Sequence, residues 1–257
     1  MAEVAVVTGS ASGIGKAVRE QLEADGVRVV GVDLRDAEVL ADVSTPKGRS
    51  EAVAGALAAA DGPIQKLVVA AGVGGHIEQA DLVPRVNYFG ALAVLDGLAD
   101  AMKGQPDAAA VVVVSNSAQI PGLISEDHPF ILAMLEDDEE RAIAELPEHG
   151  AATAYPMSKH ALARALRRRV TEWGDRGVRL NGIAPGPTET PLLQGAADHP
   201  VLGRSVDAMP NPLGRRAKPD EIARVIRFLL SRDASYVHGS ILWADGGGDA
   251  ALRPDGF

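Results

Sequence analysis

The sequence predicts an α/β fold, a doubly wound domain in which one parallel sheet carries helices on both faces. Short, fully apolar runs such as Val4–Val7 and Val111–Val114 are typical of strands buried in a parallel sheet. Stretches long enough to form helices separate these runs, and this alternation indicates a parallel sheet. The length of 257 residues and a hydrophobic content of 46% allow one such domain over residues 1–257, with a substantial core.

The first strand leads into a glycine-rich turn, and a helical stretch follows from Lys16. The turn reads Thr8-Gly9-Ser10-Ala11-Ser12-Gly13-Ile14-Gly15. Strand, turn and helix in this order can place a pyrophosphate at a helix N-terminus, where free N–H groups and the helix dipole favour an anion. Gly9 allows a sharp turn, Gly13 a close approach of phosphates, and Gly15 close packing of helix on sheet. If this turn is considered without the rest of the sequence, a loop with no ligand is the alternative interpretation.

The second predicted strand, Val27–Val32, ends in Asp33. A carboxylate at this place can accept hydrogen bonds from the hydroxyls of an adenosine ribose, and it repels a 2′-phosphate. A solvated acid at a strand end is the alternative interpretation. Together with the glycine turn, Asp33 predicts a dinucleotide site that prefers NAD to NADP.

Composition excludes several classes of function. The chain has no cysteine, which excludes disulfides and thiolate metal sites, and its six histidines show no ligand spacing, so we predict no metal site. A net charge of −10 argues against a nucleic-acid partner. No apolar stretch is long enough to span a membrane, and the first strand begins too early for a signal peptide to precede it. We therefore expect a cytoplasmic protein with a small-molecule partner.

The pattern Thr8-Gly-x-x-x-Gly-x-Gly resembles the signature of the short-chain dehydrogenase/reductase family. The resemblance implies a single Rossmann-type domain with a seven-strand parallel sheet. It also implies an NAD-dependent enzyme that interconverts an alcohol and a ketone.

Four residues occupy positions that resemble the catalytic positions of this family: Asn87, Ser115, Tyr155 and Lys159. Asn87 lies in a predicted helix over residues 80–102. The resemblance implies that Asn87 distorts this helix. Ser115 follows the central strand, at the sheet edge where ligands bind. Ser117 is the alternative catalytic serine, and a turn serine that bonds its own backbone is the other interpretation.

Tyr155 and Lys159 are four residues apart, so on a helix they share a face. We expect that helix to begin beside Tyr155, with Pro156 at its second position. A free tyrosine has a pKa of about 10, and we expect Lys159 and the oxidised nicotinamide to lower the pKa of Tyr155. Tyr155 can then exchange a proton with the substrate oxygen, while Ser115 hydrogen-bonds the same atom. The resemblance also implies that Lys159 contacts the nicotinamide ribose.

The residues predicted to bind the cofactor lie at the ends of the predicted strands. The resemblance implies that Asp42-Val43 lies against the adenine ring. Ala71-Gly72 corresponds to a family motif that usually also contains asparagine, so only its backbone contacts are expected here. Pro185–Thr190 corresponds to the segment that contacts the nicotinamide and the phosphates. The full predicted set is Gly9, Ser12, Gly13, Ile14, Gly15, Asp33, Asp42, Val43, Ala71, Gly72, Tyr155, Lys159, Pro185, Thr188 and Thr190.

An insert of about Glu126 to Gly150 separates Ser115 from the Tyr155 helix. We predict one or two helices there, with an apolar face at Phe130–Leu135 and an acidic run at Glu136–Glu140 that we interpret as solvated. An insert of this size resembles the family's bacterial 3α-hydroxysteroid dehydrogenases and carbonyl reductases, which implies a steroid or similar hydrophobic carbonyl substrate. A sugar or acyl-thioester substrate, or a non-catalytic NAD-binding protein, are the alternatives.

Two further regions bear on the substrate and on assembly. Residues 191–214 are rich in proline and resemble the family's mobile substrate loop. Members of the family commonly form tetramers by pairing the helices that correspond to those of Asn87 and Tyr155. We expect the insert to crowd that interface and predict a homodimer through another surface, the last strand and the helix Pro219–Leu230.

Overall fold

The computed structural model describes residues 3–256 and contains a seven-stranded parallel sheet in the order β3-β2-β1-β4-β5-β6-β7. Residues 1, 2 and 257 of the predicted domain lie outside the described residues. The order changes direction between β1 and β4, where open α/β sheets bind ligands. The strands are β1 (Val4–Thr8), β2 (Arg28–Asp33), β3 (Val39–Leu40), β4 (Lys66–Val69), β5 (Ala109–Val113), β6 (Arg179–Pro185) and β7 (Ile241–Ala244).

Helices cover both faces of this sheet. One face carries α1 (Gly13–Ala24) and α11 (Pro219–Leu230), and the other carries α2 (Pro46–Ala60), α4 (Ala91–Met102) and α7 (Ala151–Arg168). The remaining helices are α3 (Leu82–Pro84), α5 (Pro129–Leu135), α6 (Glu139–Ala144), α8 (Val170–Asp175), α9 (Pro191–Asp198), α10 (Leu202–Ala208) and α12 (Gly248–Leu252), with a π-turn at Arg85–Gly90 and 3₁₀ turns at Asn116–Gln119 and Arg232–Ala234.

The apolar strands fill two cores, one on each face of the sheet. In β1, Val4 and Val6 belong to the core under α2 and α4, whereas Ala5 and Val7 belong to the core under α1 and α11. Side chains alternate across a strand, so a strand buried on both faces needs an apolar residue at every position. The predicted fold class is confirmed. The strands predicted at residues 4–7, 27–32 and 111–114 correspond to β1, β2 and β5, with bounds that differ by at most two residues.

Two local predictions are wrong. The helix that carries Tyr155 begins at Ala151, so Pro156 lies inside it rather than at its second position. Gly150, with φ of +57°, ends the insert and lets the helix begin one turn earlier. The predicted loop at 191–214 contains α9 and α10, because Pro191 stands at the first position of α9 behind the N-cap Thr190 and so helps to start that helix.

The insert contains two helices, α5 and α6, and is part of the core. Phe130, Ile131 and Met134 of α5 are fully buried, and α5 packs on α7. Most of the acidic run is exposed, but Glu139 is 20% exposed and forms ion pairs with Arg49 and Arg85. The interpretation of the run as a solvated face is therefore wrong for Glu139.

Within residues 3–256, the helices are all too short or too polar to cross a membrane.

Candidate active site

A cleft of about 650 Å³ follows the carboxyl-terminal edge of the sheet. Every residue predicted to bind the cofactor lines this cleft, and so do Ser115 and Ser117. Asn87 is fully buried behind it. Three strand spacings, about 14 Å, separate the end of β2 from the end of β5. The cleft therefore has two separated ends, which we name the Asp33 end and the Ser115 end.

The glycine turn lies between these two ends. Gly9 and Gly13 have φ of +70° and +52°, a backbone region that favours glycine. A Cβ on Gly15 would lie 2.1 Å from the carbonyl oxygen of Gly9, so the first turn of α1 packs directly on the turn. Ser12 is the N-cap residue of α1, and within the described residues its side chain accepts no hydrogen bond from the first N–H groups of that helix. These N–H groups suit the pyrophosphate of a dinucleotide.

Asp33 is fixed in place by the glycine turn. Its carboxylate accepts hydrogen bonds from the backbone N–H of Ala11 (3.0 Å) and of Leu34 (2.7 Å). Of the cleft-lining side chains in residues 3–256, Lys159 is the only lysine or arginine. The Asp33 end thus presents a fixed negative charge and, among these described side chains, no basic partner for a 2′-phosphate, which suits NAD.

Asn87 lies in the π-turn, so the helix is distorted where the resemblance implies. Its Oδ1 accepts from the backbone N–H of Val73 (2.8 Å), and its Nδ2 donates to the carbonyl of Val73 (3.0 Å). A Cβ on Gly72 would lie 3.1 Å from Asn87 Oδ1 and 3.7 Å from Lys159 Nζ. The amide and the ammonium therefore approach each other beside the backbone of Gly72.

Ser115 and Ser117 share a hydrogen bond, with their hydroxyl oxygens 2.9 Å apart. Ser115 is buried and caps the 3₁₀ turn, and its Oγ accepts from the backbone N–H of Ser117 (3.2 Å). It is Ser115 whose side chain hydrogen-bonds with Tyr155 and affects the pKa of that phenol. This geometry favours Ser115 as the residue that shares a substrate oxygen with Tyr155, with Ser117 in support.

Tyr155 and Lys159 reach the Ser115 end from the same face of α7. Lys159 Nζ donates to the carbonyl of Val113 in β5 (2.9 Å), and burial lowers the pKa of Lys159 to about 8. Burial raises the pKa of Tyr155, and the hydrogen bond with Ser115 offsets part of that rise. For the protein alone the pKa of Tyr155 therefore moves upward, because removing the phenolate from water outweighs the effect of Ser115. The predicted lowering includes the charge of the oxidised nicotinamide and stays a prediction.

Sequence analysis assigned residues 191–214 to the substrate but named none of the residues that form the apolar wall of the cleft. The helices α9 and α10 and the residues next to them contribute much of this wall. The segment after the 3₁₀ turn Asn116–Gln119 contributes the rest. These residues are Ile120, Leu123, Leu192, Leu193, Val201, Leu202, Val206 and Met209. Helical spacing was the available signal, because Leu202 and Val206 are four residues apart and so share one helix face.

The described residues, 3–256, contain no cluster of three or more histidine, cysteine or acidic side chains arranged to hold a metal ion.

Two family models match the chain. The family described as "short chain dehydrogenase" matches residues 3–125, and the one described as "Enoyl-(Acyl carrier protein) reductase" matches residues 142–249. Residues 126–141, between the two matches, belong to the insert.

Two relatives and one solved structure match nearly the whole chain. The chain is 46% identical to a 3-alpha-hydroxysteroid dehydrogenase/carbonyl reductase of Comamonas testosteroni, over 99% of each chain. It is 29% identical to a levodione reductase of Leifsonia aquatica, over 96% of this chain and 94% of the relative. Its fold matches the crystal structure of a 3-alpha-hydroxysteroid dehydrogenase from Pseudomonas sp. B-0831 complexed with NADH, with a TM-score of 0.95 and 45% identity, over 99% of this chain and 100% of the other.

Proposed function

The chain belongs to the short-chain dehydrogenase/reductase family, and on that premise we propose that it interconverts a hydrophobic secondary alcohol of the 3α-hydroxysteroid type and its ketone. The enzyme is an NAD-dependent oxidoreductase. One observation carries the proposal. Tyr155, Lys159 and Ser115 meet at one end of a cleft whose other end holds Asp33, with the glycine turn between them.

The residues of the cleft suit NAD along its whole length. Asp33 would hold the adenosine ribose, the N-terminus of α1 would hold the pyrophosphate, and Pro185 to Thr190 would hold the nicotinamide half. When bound, NAD exchanges a hydride with the substrate carbon, and its oxidised ring brings a positive charge that favours the phenolate of Tyr155.

The side chains at the Ser115 end would move the proton that accompanies the hydride. The hydroxyl of Tyr155 donates its proton to the substrate oxygen in reduction and accepts it back in oxidation. Ser115 donates a hydrogen bond to the same oxygen and stabilises its developing charge. Lys159, held by the Val113 carbonyl, places a cation beside this site, and Asn87 fixes the backbone next to it.

The apolar wall favours a hydrophobic substrate. Leucine, isoleucine, valine and methionine side chains from three segments line the cleft beyond the glycine turn. Binding against such a wall removes apolar substrate surface from water, which is favourable by about 25 cal/mol per Å². The same wall offers few hydrogen-bond partners to the hydroxyls of a sugar. The 3-alpha-hydroxysteroid specificity named for the Comamonas testosteroni relative matches this chemistry.

We further propose a homodimer that uses β7 and α11. The insert helix α5 already packs on α7 within one chain, and Arg168 donates to the carbonyl of Leu135 (3.2 Å), so this face of α7 is covered. Strand β7 is one of the two edges of the sheet, and Phe228 of α11 and Tyr236, between α11 and β7 in the sequence, are exposed. An edge strand and exposed aromatic side chains are features that a twofold interface can cover.

Replacing Tyr155 with phenylalanine should lower turnover by roughly a hundredfold or more, because the proton-transfer group is lost. The ring and the helix are preserved, so NADH should still bind. Steady-state assays with a hydroxysteroid or a hydrophobic ketone, together with an NADH fluorescence titration, measure both quantities. Turnover at the wild-type rate would disprove the proposed role of the phenol.

The two serines provide a matched pair of substitutions. Ser115→Ala removes the group that hydrogen-bonds with Tyr155, whereas Ser117→Ala removes a supporting partner of Ser115. We expect Ser115→Ala to reduce kcat more than Ser117→Ala does. The reverse order would assign the catalytic role to Ser117.

Carbonyl reduction should slow as the pH rises through about 8, where Lys159 loses its charge. The sign follows from the charge state. Below this pH Lys159 is a cation, and the raised pKa of Tyr155 keeps the phenol protonated and able to donate. The pH profile of kcat/KM for the ketone measures this, with Lys159→Met as the control that should lack the step. A reduction rate that rises through this range would contradict the assignment.

NAD should outperform NADP in catalytic efficiency, because Asp33 would repel the 2′-phosphate. Asp33→Ala should narrow the difference, whereas Asp175→Asn, which removes an exposed acid of α8, should leave it unchanged. Measurements of kcat/KM with each cofactor test this expectation. Equal efficiency of the wild-type enzyme with NADP would refute it.

Light scattering should give the mass of a dimer for the purified protein. Phe228→Glu should shift that mass toward the monomer, because it places a charge in the proposed interface. Leu57→Glu, which puts the same charge on an exposed position of α2, is the control and should leave the dimer intact. A native tetramer built on the helices of Asn87 and Tyr155 would rule out this assembly.

A further inference from the structure

Arg49 of α2 joins three segments that are distant in the sequence. Its Nε donates to the carbonyl oxygen of Val43 (2.9 Å), a residue that lines the cleft. One terminal nitrogen donates to the carbonyl of Arg85 (3.1 Å), the first residue of the π-turn. The two terminal nitrogens also contact the carboxylate of Glu139 in α6, at 2.5 and 2.9 Å. A single guanidinium thus links the cleft wall, the Asn87 turn and the insert.

The ion pair at the centre of this link is shielded from solvent. The side chain of Arg49 is 11% exposed and that of Glu139 is 20% exposed. Arg85 donates to the same carboxylate (3.0 Å), and the Arg49 guanidinium lies 5.8 Å from the centre of the Phe89 ring. A bidentate pair in such surroundings holds its geometry, and removing one partner leaves a charge in a poorly hydrated place.

The cleft wall and the π-turn also touch directly. A Cβ on Gly90, the last residue of the π-turn, would lie 2.7 Å from the carbonyl oxygen of Val43 and 3.1 Å from that of Arg85. The carbonyls of Val43 and Arg85, which Arg49 binds, therefore both lie beside Gly90, where backbone packs on backbone with no side chain between. Close packing of this kind transmits a shift of Val43 to the turn that holds Asn87.

We propose that Arg49 and Glu139 are positioning residues of the cofactor site. They hold Val43 at the Asp33 end of the cleft and the π-turn at the Ser115 end in one fixed relation, so that NAD meets a preformed site. The insert, through Glu139, is then a working part of cofactor binding and not only a cover for α7. This inference rests on the proposed function, because it takes NAD as the occupant of the cleft.

The decisive variant is Glu139→Gln, which keeps the size of the side chain and removes its charge. Glu140→Gln is the matched control, since the neighbouring Glu140 is exposed on the same helix. By fluorescence titration, we expect Glu139→Gln to weaken NADH binding by about fivefold or more, the effect of leaving a half-buried charge poorly paired. Arg49→Lys should act in the same direction, because a lysine cannot reproduce the fork. Glu140→Gln should bind as the wild type does.

Thermal unfolding of the same variants separates positioning from general stability. A Glu139→Gln variant that has a lower Tm but binds NADH with the wild-type Kd would overturn the inference. If the wild-type protein itself does not bind NADH, the proposed function fails instead, and the two failures are therefore distinguishable.

A measurement on the wild-type chain decides the matter if the variants do not fold. We expect the backbone amides of residues 43–49, 85–90 and 139–144 to gain protection from hydrogen exchange together when NADH is added. Helix α6 lies outside the cleft-lining set, so its protection would report the linkage and not direct contact. Unchanged exchange in residues 139–144 on saturation with NADH would overturn the proposal.

Discussion

The close approach of backbone to backbone at the end of β1 is the constraint on which the site depends. A Cβ on Gly9 would lie 2.8 Å from the backbone nitrogen of Ala71, and one on Gly15 would lie 2.1 Å from the carbonyl of Gly9. Thr8 completes the junction, because its hydroxyl accepts from the N–H groups of Ala70 and Ala71 at 3.1 Å each. These contacts bring the ends of β1 and β4 and the start of α1 together, which opens the cleft and aims the N–H groups of α1 into it.

Burial then determines the chemistry that this geometry allows. The same loss of water lowers the pKa of Lys159 to about 8 and raises the pKa of Tyr155, so each group is shifted toward its neutral form. A protonated phenol is ready to donate to a carbonyl oxygen, which suits reduction. Oxidation needs a phenolate, and the positive charge that favours it comes with the oxidised cofactor. In the proposed mechanism, the protein and its cofactor therefore both adjust the pKa of one proton-transfer group, the phenol of Tyr155.

The insert shows how a segment outside the two matched family regions becomes part of the fold. Its apolar face fills the core beside α7, with Phe130, Ile131 and Met134 fully buried. Its acidic face is mostly exposed, yet Glu139 turns inward and meets two arginines, one from α2 and one from the π-turn. An ordinary amphipathic pattern thus hides one charged residue whose partners lie far away in the sequence.

The sequence by itself determined the strands, the glycine turn, Asp33 and the pairing of Tyr155 with Lys159, because each depends on local periodicity or on spacing within one element. It also predicted the alternation of helices and strands, and with it the edge of the sheet where the cleft lies. Only the tertiary structure decided the direction of the Tyr155 pKa shift, the start of α7 at Ala151, the helices within 191–214 and the partners of Glu139. These features depend on burial and on contacts between distant segments, and no local pattern of residues records how much water or which charge a side chain meets after folding.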